Sequence, residues 1–262
     1  MTLPLEVLEA VQAGRCILAL GTHASEEAAR AVGRVWHLAP DLARRLGWAP
    51  PRRLAGQRGR HLVPSVEEGA AAFEATHGRD ALVRLLRGLV GLEDVPPTAA
   101  HRTALRRFPV ILTTAWDGLL QRCAREEGIA ARFLHRGQPL CEPADGPVVL
   151  CMRGTFAEPA SLVVTARDHA VPPSADAHRA FRALLRSHLL LFVGYGPDDE
   201  ELDRLWEDLT DLWGGELPRC HLAVVQGRMD DFLWQKWIWR ACALFTADPI
   251  ECMAEIEAGI AA

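Results

Sequence analysis

Residues 189–193 form an unbroken apolar run, Leu189-Leu190-Leu191-Phe192-Val193, closed by Gly194-Tyr195-Gly196-Pro197. A run without polar alternation, bounded by turn residues, reads as a strand covered on both faces. Residues 111–120 repeat the theme: a buried strand, the polar turn Thr113-Thr114, then Ala115-Trp116-Asp117 opening a helix. Ala115 places a methyl group where a strand-to-helix turn best presents a reactive polar side chain.

The chain alternates such strands with helical patterns. Strands are expected at 15–20, 110–113, 131–134, 148–151, 162–165, 189–193, 221–225 and 241–245. Helices are expected at 3–11, from 25, and at 41–48, 66–90 (broken near Gly78), 99–107 (Thr98 as N-cap), 116–127, 174–187, 199–212, 230–239 and from Pro249. This order predicts an α/β fold: a Rossmann-like three-layer sandwich with a parallel central sheet and a small helical insertion. The stretch 50–59, rich in Pro, Gly and Arg, reads as a mobile loop.

Composition narrows the function class. The 262 residues, 49% hydrophobic and 24% charged, suffice for one large domain or a domain carrying an insertion. Net charge is −5 with no strongly basic segment, which argues against direct nucleic-acid binding. Arg52, Arg53, Arg58, Arg60, Arg102, Arg106 and Arg107 read as solvated faces, and Lys236 is the sole lysine. No apolar run approaches the ~18 residues of a membrane span, and the first residues lack a secretory pattern. Seven scattered cysteines, none in a C-x-x-C pair, suggest buried small hydrophobes in a reducing cytoplasm, with no zinc site or disulfide framework. His135, His178, His188 and His221 lack metal-ligand spacing.

Four segments carry candidate chemistry. Leu20-Gly21-Thr22-His23-Ala24-Ser25 lies between a strand and a helix, where backbone amides can meet a phosphate; an ordinary helix-capping turn is the alternative. Thr113-Thr114-Ala115-Trp116-Asp117 follows Pro97 and His101, and Asp117 also reads as a carboxylate favoured by a helix N-terminus. Val149-Leu150-Cys151-Met152-Arg153-Gly154 leads to Ser161-Leu162-Val163-Val164-Thr165-Ala166-Arg167-Asp168-His169. The fourth is the 190–202 segment around Gly194 and Tyr195. Trp234, Trp237 and Trp239 cluster with Phe232, as a packed core edge or a partner-binding surface.

Together these segments resemble the sirtuin-like NAD-consuming family from about residue 14 onward. The first matches the family's Gly-Ala-Gly-Ala-Ser loop at Gly21, Ala24 and Ser25, with Thr22 and His23 departing. The second matches Thr-Thr-Asn-aromatic-Asp except that the asparagine is Ala115. The third matches Leu-His-Gly and Ser-Leu-Val-Leu-Thr-x-x-Asp-Tyr except that the histidine is Arg153. The fourth resembles Leu-Phe-Val-Gly-Tyr-Ser-x-x-Asp-x-x-Leu. The resemblance implies that the asparagine orients ribose and water and that the histidine is the base. Alanine does neither, and arginine stays protonated. The deacetylase branch's four-cysteine ribbon is missing, so the comparison falls on the bacterial antiphage-defence branch.

The resemblance implies a single domain over 1–262 with residues 34–95 as a helical insertion. Its first functional expectation is a degenerate member, a structural or sensing subunit of a bacterial defence or regulatory complex. Two alternatives stand beside it. One is an NAD hydrolase rebuilt around Asp117, His23 or the 50–60 loop. The other is a module binding NAD or ADP-ribose through Gly21, Thr22, Ser25, Thr114, Asp117, Arg153, Gly194 and Tyr195. A protein partner or a homo-oligomer is expected from the family, with no metal and no membrane.

Overall fold

The computed structural model describes residues 3–37, 39–47, 65–135, 138, 145–169, 175–215, 217, 219–224 and 229–261. The expected mobile loop at 50–59 and Cys141 lie outside these residues.

Seven parallel strands form one sheet. In chain order they are β1 (Cys16–Leu20), β2 (Val110–Thr113), β3 (Arg132–His135), β4 (Val148–Cys151), β5 (Leu189–Val193), β6 (Cys220–Val224) and β7 (Cys242–Thr246). Their spatial order is β3-β4-β2-β1-β5-β6-β7, every neighbouring pair parallel. The chain builds from β1 outward to one side through β2, then crosses to the other side at β5. The gap between β1 and β5 is therefore the topological switch point, where open α/β sheets bind ligands.

Helices cover both faces, as the unbroken strands require. Cys16, Leu18, Leu20, Leu191 and Val193 point to one face, packed by α1 (Leu5–Gln12), α6 (Ala99–Arg107), α7 (Leu119–Glu126) and α12 (Pro249–Ala261). Ile17, Ala19, Leu190 and Phe192 point to the other, packed by α9 (Ala175–Ser187), α10 (Glu200–Trp213) and α11 (Asp231–Trp239). This is the strand alternation of side chains, with apolar residues at both phases. α2 (His23–Ala31) follows β1. The insertion helices α3 (Ala39–Arg45), α4 (Val66–His77) and α5 (Arg79–Val90) share a smaller core with Phe156, Leu162 and Val164. The short helix α8 (Ala166–His169) precedes α9.

Two expectations change. Residues 162–165 are not a strand, because their amides are satisfied elsewhere. Val163 N–H donates to the Arg153 carbonyl (2.9 Å), and the Val164 and Thr165 amides both donate to the Asp168 carboxylate (2.9 Å each). Helix α7 starts at Leu119 rather than 116, after Gly118 in the left-handed region (φ 78°). The break near Gly78 falls between α4 and α5 as read. Thr98 caps α6 with His101 as its reciprocal partner. The six described cysteines are buried. No described helix is long and apolar enough to cross a membrane.

Trp237 anchors α11 to the sheet. It is wholly buried, stands edge-on to Trp206 at 5.4 Å and donates its indole N–H to the Pro197 carbonyl (3.0 Å). Trp237→Ala removes the ring and leaves that carbonyl unpaired. Chemical denaturation should show a loss of about 3–5 kcal/mol.

Candidate functional site

The strand register sets Gly21, Thr114 and Gly194 side by side at the sheet's C-terminal edge, since Leu20 pairs with both Thr113 and Val193. Gly21 and Gly194 meet backbone to backbone. The Gly21 N–H donates to the Val193 carbonyl (2.8 Å), and the His23 N–H to the Gly194 carbonyl (3.2 Å). A Cβ on Gly21 would collide with that carbonyl and lie 2.8 Å from Tyr195 Cδ1. Gly194 itself sits at φ 82°, a region that suits glycine. These glycines close the switch point.

That contact takes two amides of the phosphate-type loop, and the turn itself takes others. Besides Gly21 and His23, the Ala24 amide bonds the Gly21 carbonyl (3.4 Å), and the Ser25 and Glu26 amides bond the Thr22 carbonyl (3.0 and 2.9 Å). Thr22 precedes α2 without capping it through its side chain.

On the α6/α7 side of this seam lies one cluster. Gly21, Ser25, His101, Thr113, Ala115 and Asp117 are among the residues lining a cavity of about 10 Å³. That is room for roughly one water. Asp117 bonds the buried Ser25 and accepts the Leu119 N–H (2.8 Å), so it joins α2 to the start of α7. Burial pushes the Asp117 pKa up, against those two hydrogen bonds. His101 accepts the Thr98 N–H at Nδ1 (3.2 Å). Burial, helped by the Arg102 charge, lowers its pKa to about 4, so the ring is neutral near pH 7.

On the α10 side lies a second cluster. Tyr195 and Thr114, both buried, are joined by their hydroxyls (3.4 Å), and Thr114 donates to Glu201 Oε2 (3.2 Å). Burial, then the neighbouring Asp199 charge, lifts the Glu201 pKa to about 7, opposed by Arg153 and the Thr114 hydroxyl. Arg153 is also buried and donates to His169 Nδ1 (2.7 Å). His169 Nε2 meets Glu67 of the insertion helix α4 (2.9 Å), and Arg204 of α10 closes on the same carboxylate (2.7 Å). Burial raises the Glu67 pKa, but the His169 hydrogen bond and the Arg204 charge bring it below the ordinary value. Trp116 pins this turn from outside, donating to the Arg153 carbonyl (3.1 Å).

The structure thus splits the sequence-derived site. Gly21, Ser25 and Asp117 share the small cavity. Thr114, Tyr195 and Arg153 belong to a buried polar network across the seam, and Gly194 lies on the seam itself. His23 stays half-exposed near Glu26 (3.9 Å). Glu201, Glu67 and Arg204 were not read as site residues; they follow no motif, and only the fold brings them together. Glu201 had one local signal, an acid two residues past the cap Asp199, whose side chain accepts its N–H (2.9 Å).

A parallel sheet wound outward from β1, with its polar residues at the C-terminal edge, defines a Rossmann-like nucleotide-fold protein. Residues 109–242, just over half of the chain, match the family model described as a SIR2-like domain, and the chain belongs to that family. A solved structure described as "The Structural basis of Sirtuin Substrate Affinity" is 12% identical, with 98% of each chain covered and a TM-score of 0.43. No curated protein matches.

The family implies NAD. The Gly21, His23, Ala24 and Ser25 amides all have acceptors within the protein, and the small cavity beside Asp117 has room for about one water. Among the described residues, no group of three His, Cys, Asp or Glu side chains could hold a metal ion.

Two outcomes follow. Gly21→Ala forces a Cβ onto the Gly194 carbonyl and should lower stability by about 1–3 kcal/mol in urea unfolding. Glu201 gives a pH signature. Its folded pKa lies above the unfolded 4.5, so the stability it contributes is full below about pH 4.5 and is lost as pH rises through about 7. Glu201→Gln removes that loss. Urea midpoints should show the variant more stable than wild type at pH 8, by about 1 kcal/mol or more, with the gap gone near pH 5.

Proposed function

We propose that this chain is a SIR2-like domain without NAD chemistry. It serves as a structural or sensing subunit that works through a protein partner, in a bacterial defence or regulatory complex of the kind the family resemblance implies. The observation that carries this reading is the closed switch point. The Gly21 and Gly194 backbones meet across it, and Arg153, bonded to His169, is buried at the end of β4 two strands from β1. The catalytic pattern is interrupted at the same places: Ala115 offers no polar group to orient water, and Arg153 cannot act as a base. Loss of a general base alone typically costs on the order of 100- to 10,000-fold. Asp117, which matches the family aspartate, is engaged in helix capping and the Ser25 bond. In this reading residues 34–95 are an insertion in a single domain, and α4 supplies Glu67 to the network around Arg153.

Calorimetric titration with NAD and with ADP-ribose, followed by chromatography of the same samples for nicotinamide, tests the proposal. The expected result is neither binding heat nor nicotinamide. Nicotinamide release that disappears in Asp117→Ala would overturn it in favour of a rebuilt hydrolase. Binding without release would make the chain a nucleotide-binding module.

A further inference from the structure

Helix α11 buries Trp237 and part of Leu233 but leaves four other large apolar side chains in solvent. Phe232 is 72% exposed, Trp234 40%, Ile238 59% and Trp239 78%. Their spacing is regular. Positions 231, 234 and 238, and beside them 232, 235 and 239, form two adjacent helical stripes on one outward face. At roughly 150–250 Å² per aromatic side chain, this face offers about 450 Å² of apolar surface. Monomers seldom expose more than a few hundred Å² in one patch.

From this face we infer that α11 is the interface of a homodimer, packing against α11 of a second copy about a two-fold axis near Gln235. The area suits that occupant. A self-complementary pairing covers the patch twice, about 900 Å² from these side chains alone, close to the ~1,000 Å² of a specific interface. The charges suit it as well. Asp230 caps the helix and Asp231 is exposed at its N-terminal end, while Lys236 and Arg240 lie toward the C-terminal end. An antiparallel pairing brings the acidic N-terminal end of one helix toward the basic C-terminal end of the other, where Lys236 and Arg240 stay bonded to Asp203 of their own chain, and it opposes the helix dipoles. It also places Phe232 of one copy over Trp239 of the other. A parallel pairing would put like charges together.

The face is preorganised for docking. Lys236 and Arg240 both hold Asp203 of α10 (2.6 Å each), and Arg240 stacks on Trp237 at 4.7 Å from the ring centre. The exposed rings therefore sit on a helix fixed from beneath, which reduces the entropy lost on association.

Sedimentation velocity across the micromolar range tests this, with circular dichroism as the check on folding. Wild type should sediment at twice the chain mass. The double variant Phe232→Ser, Trp239→Ser should sediment as a monomer with an unchanged helical spectrum, since neither residue is buried. Gln235→Cys should form a disulfide-linked dimer under mild oxidation, and wild type under the same treatment should not. A wild-type chain that stays monomeric, including one that binds a different protein through this face, overturns the inference. So does a dimer that survives the double substitution.

Discussion

The contact between Gly21 and Gly194 is the constraint around which this molecule is arranged. Parallel strands β1 and β5 diverge in connectivity at this point, and a ligand-binding Rossmann-like sheet would open a crevice here. Here the two backbones touch, the Gly21 and His23 amides bond carbonyls of the neighbouring loop, and the Ala24 and Ser25 amides bond carbonyls of their own turn. Only a pair of glycines can do this. One lacks the Cβ that would strike a carbonyl, and the other adopts a left-handed conformation. The closed seam divides the C-terminal edge in two and sends the site's polar residues to opposite faces of the sheet.

The network on the α10 side fixes the polar residues of that side in place. A buried guanidinium without partners would cost several kcal/mol, so Arg153 can occupy the end of β4 only with nearby acids to balance it. The insertion contributes one through Glu67, and α10 contributes another through Glu201. Arg204 then balances Glu67, and the Thr114 and Tyr195 hydroxyls extend the chain of hydrogen bonds to the switch point. Such a network holds the fold when its members are satisfied, and Glu201 is the member whose charge opposes folding at high pH, since it is buried beside Asp199 as well as Arg153. The network couples the insertion, the sheet edge and α10 into one unit. Trp237 and Asp203 then tie α11 to the same unit.

Much of this was legible from local pattern. The apolar runs of β1, β2 and β5 mark themselves because a strand buried on both faces needs no polar alternation. The Thr98 cap is a short-range feature, and the helix boundary at Asp117 was open to the capping interpretation that its bond to Leu119 supports. Residues 162–165 misled because their unbroken, β-branched apolar run is that of a buried strand, while their hydrogen-bond partners, Asp168 and the Arg153 carbonyl, are unusual for one. The aromatic cluster near 232–239 could be placed on a helix, yet which ring turned inward depended on the position of Trp206 and Pro197.

By itself the sequence determined the α/β architecture, the turns at the strand ends and the two positions, Ala115 and Arg153, that depart from the pattern the family resemblance implies. All of these rest on residue type and short-range spacing. Tertiary structure decided what those positions do. What the Gly21 loop packs against depends on the Gly194 backbone, far away in sequence. Whether Arg153 faces solvent or anchors a network depends on acids supplied by α4 and α10. Burial and pairing are properties of neighbours brought together by folding, and no local pattern encodes them.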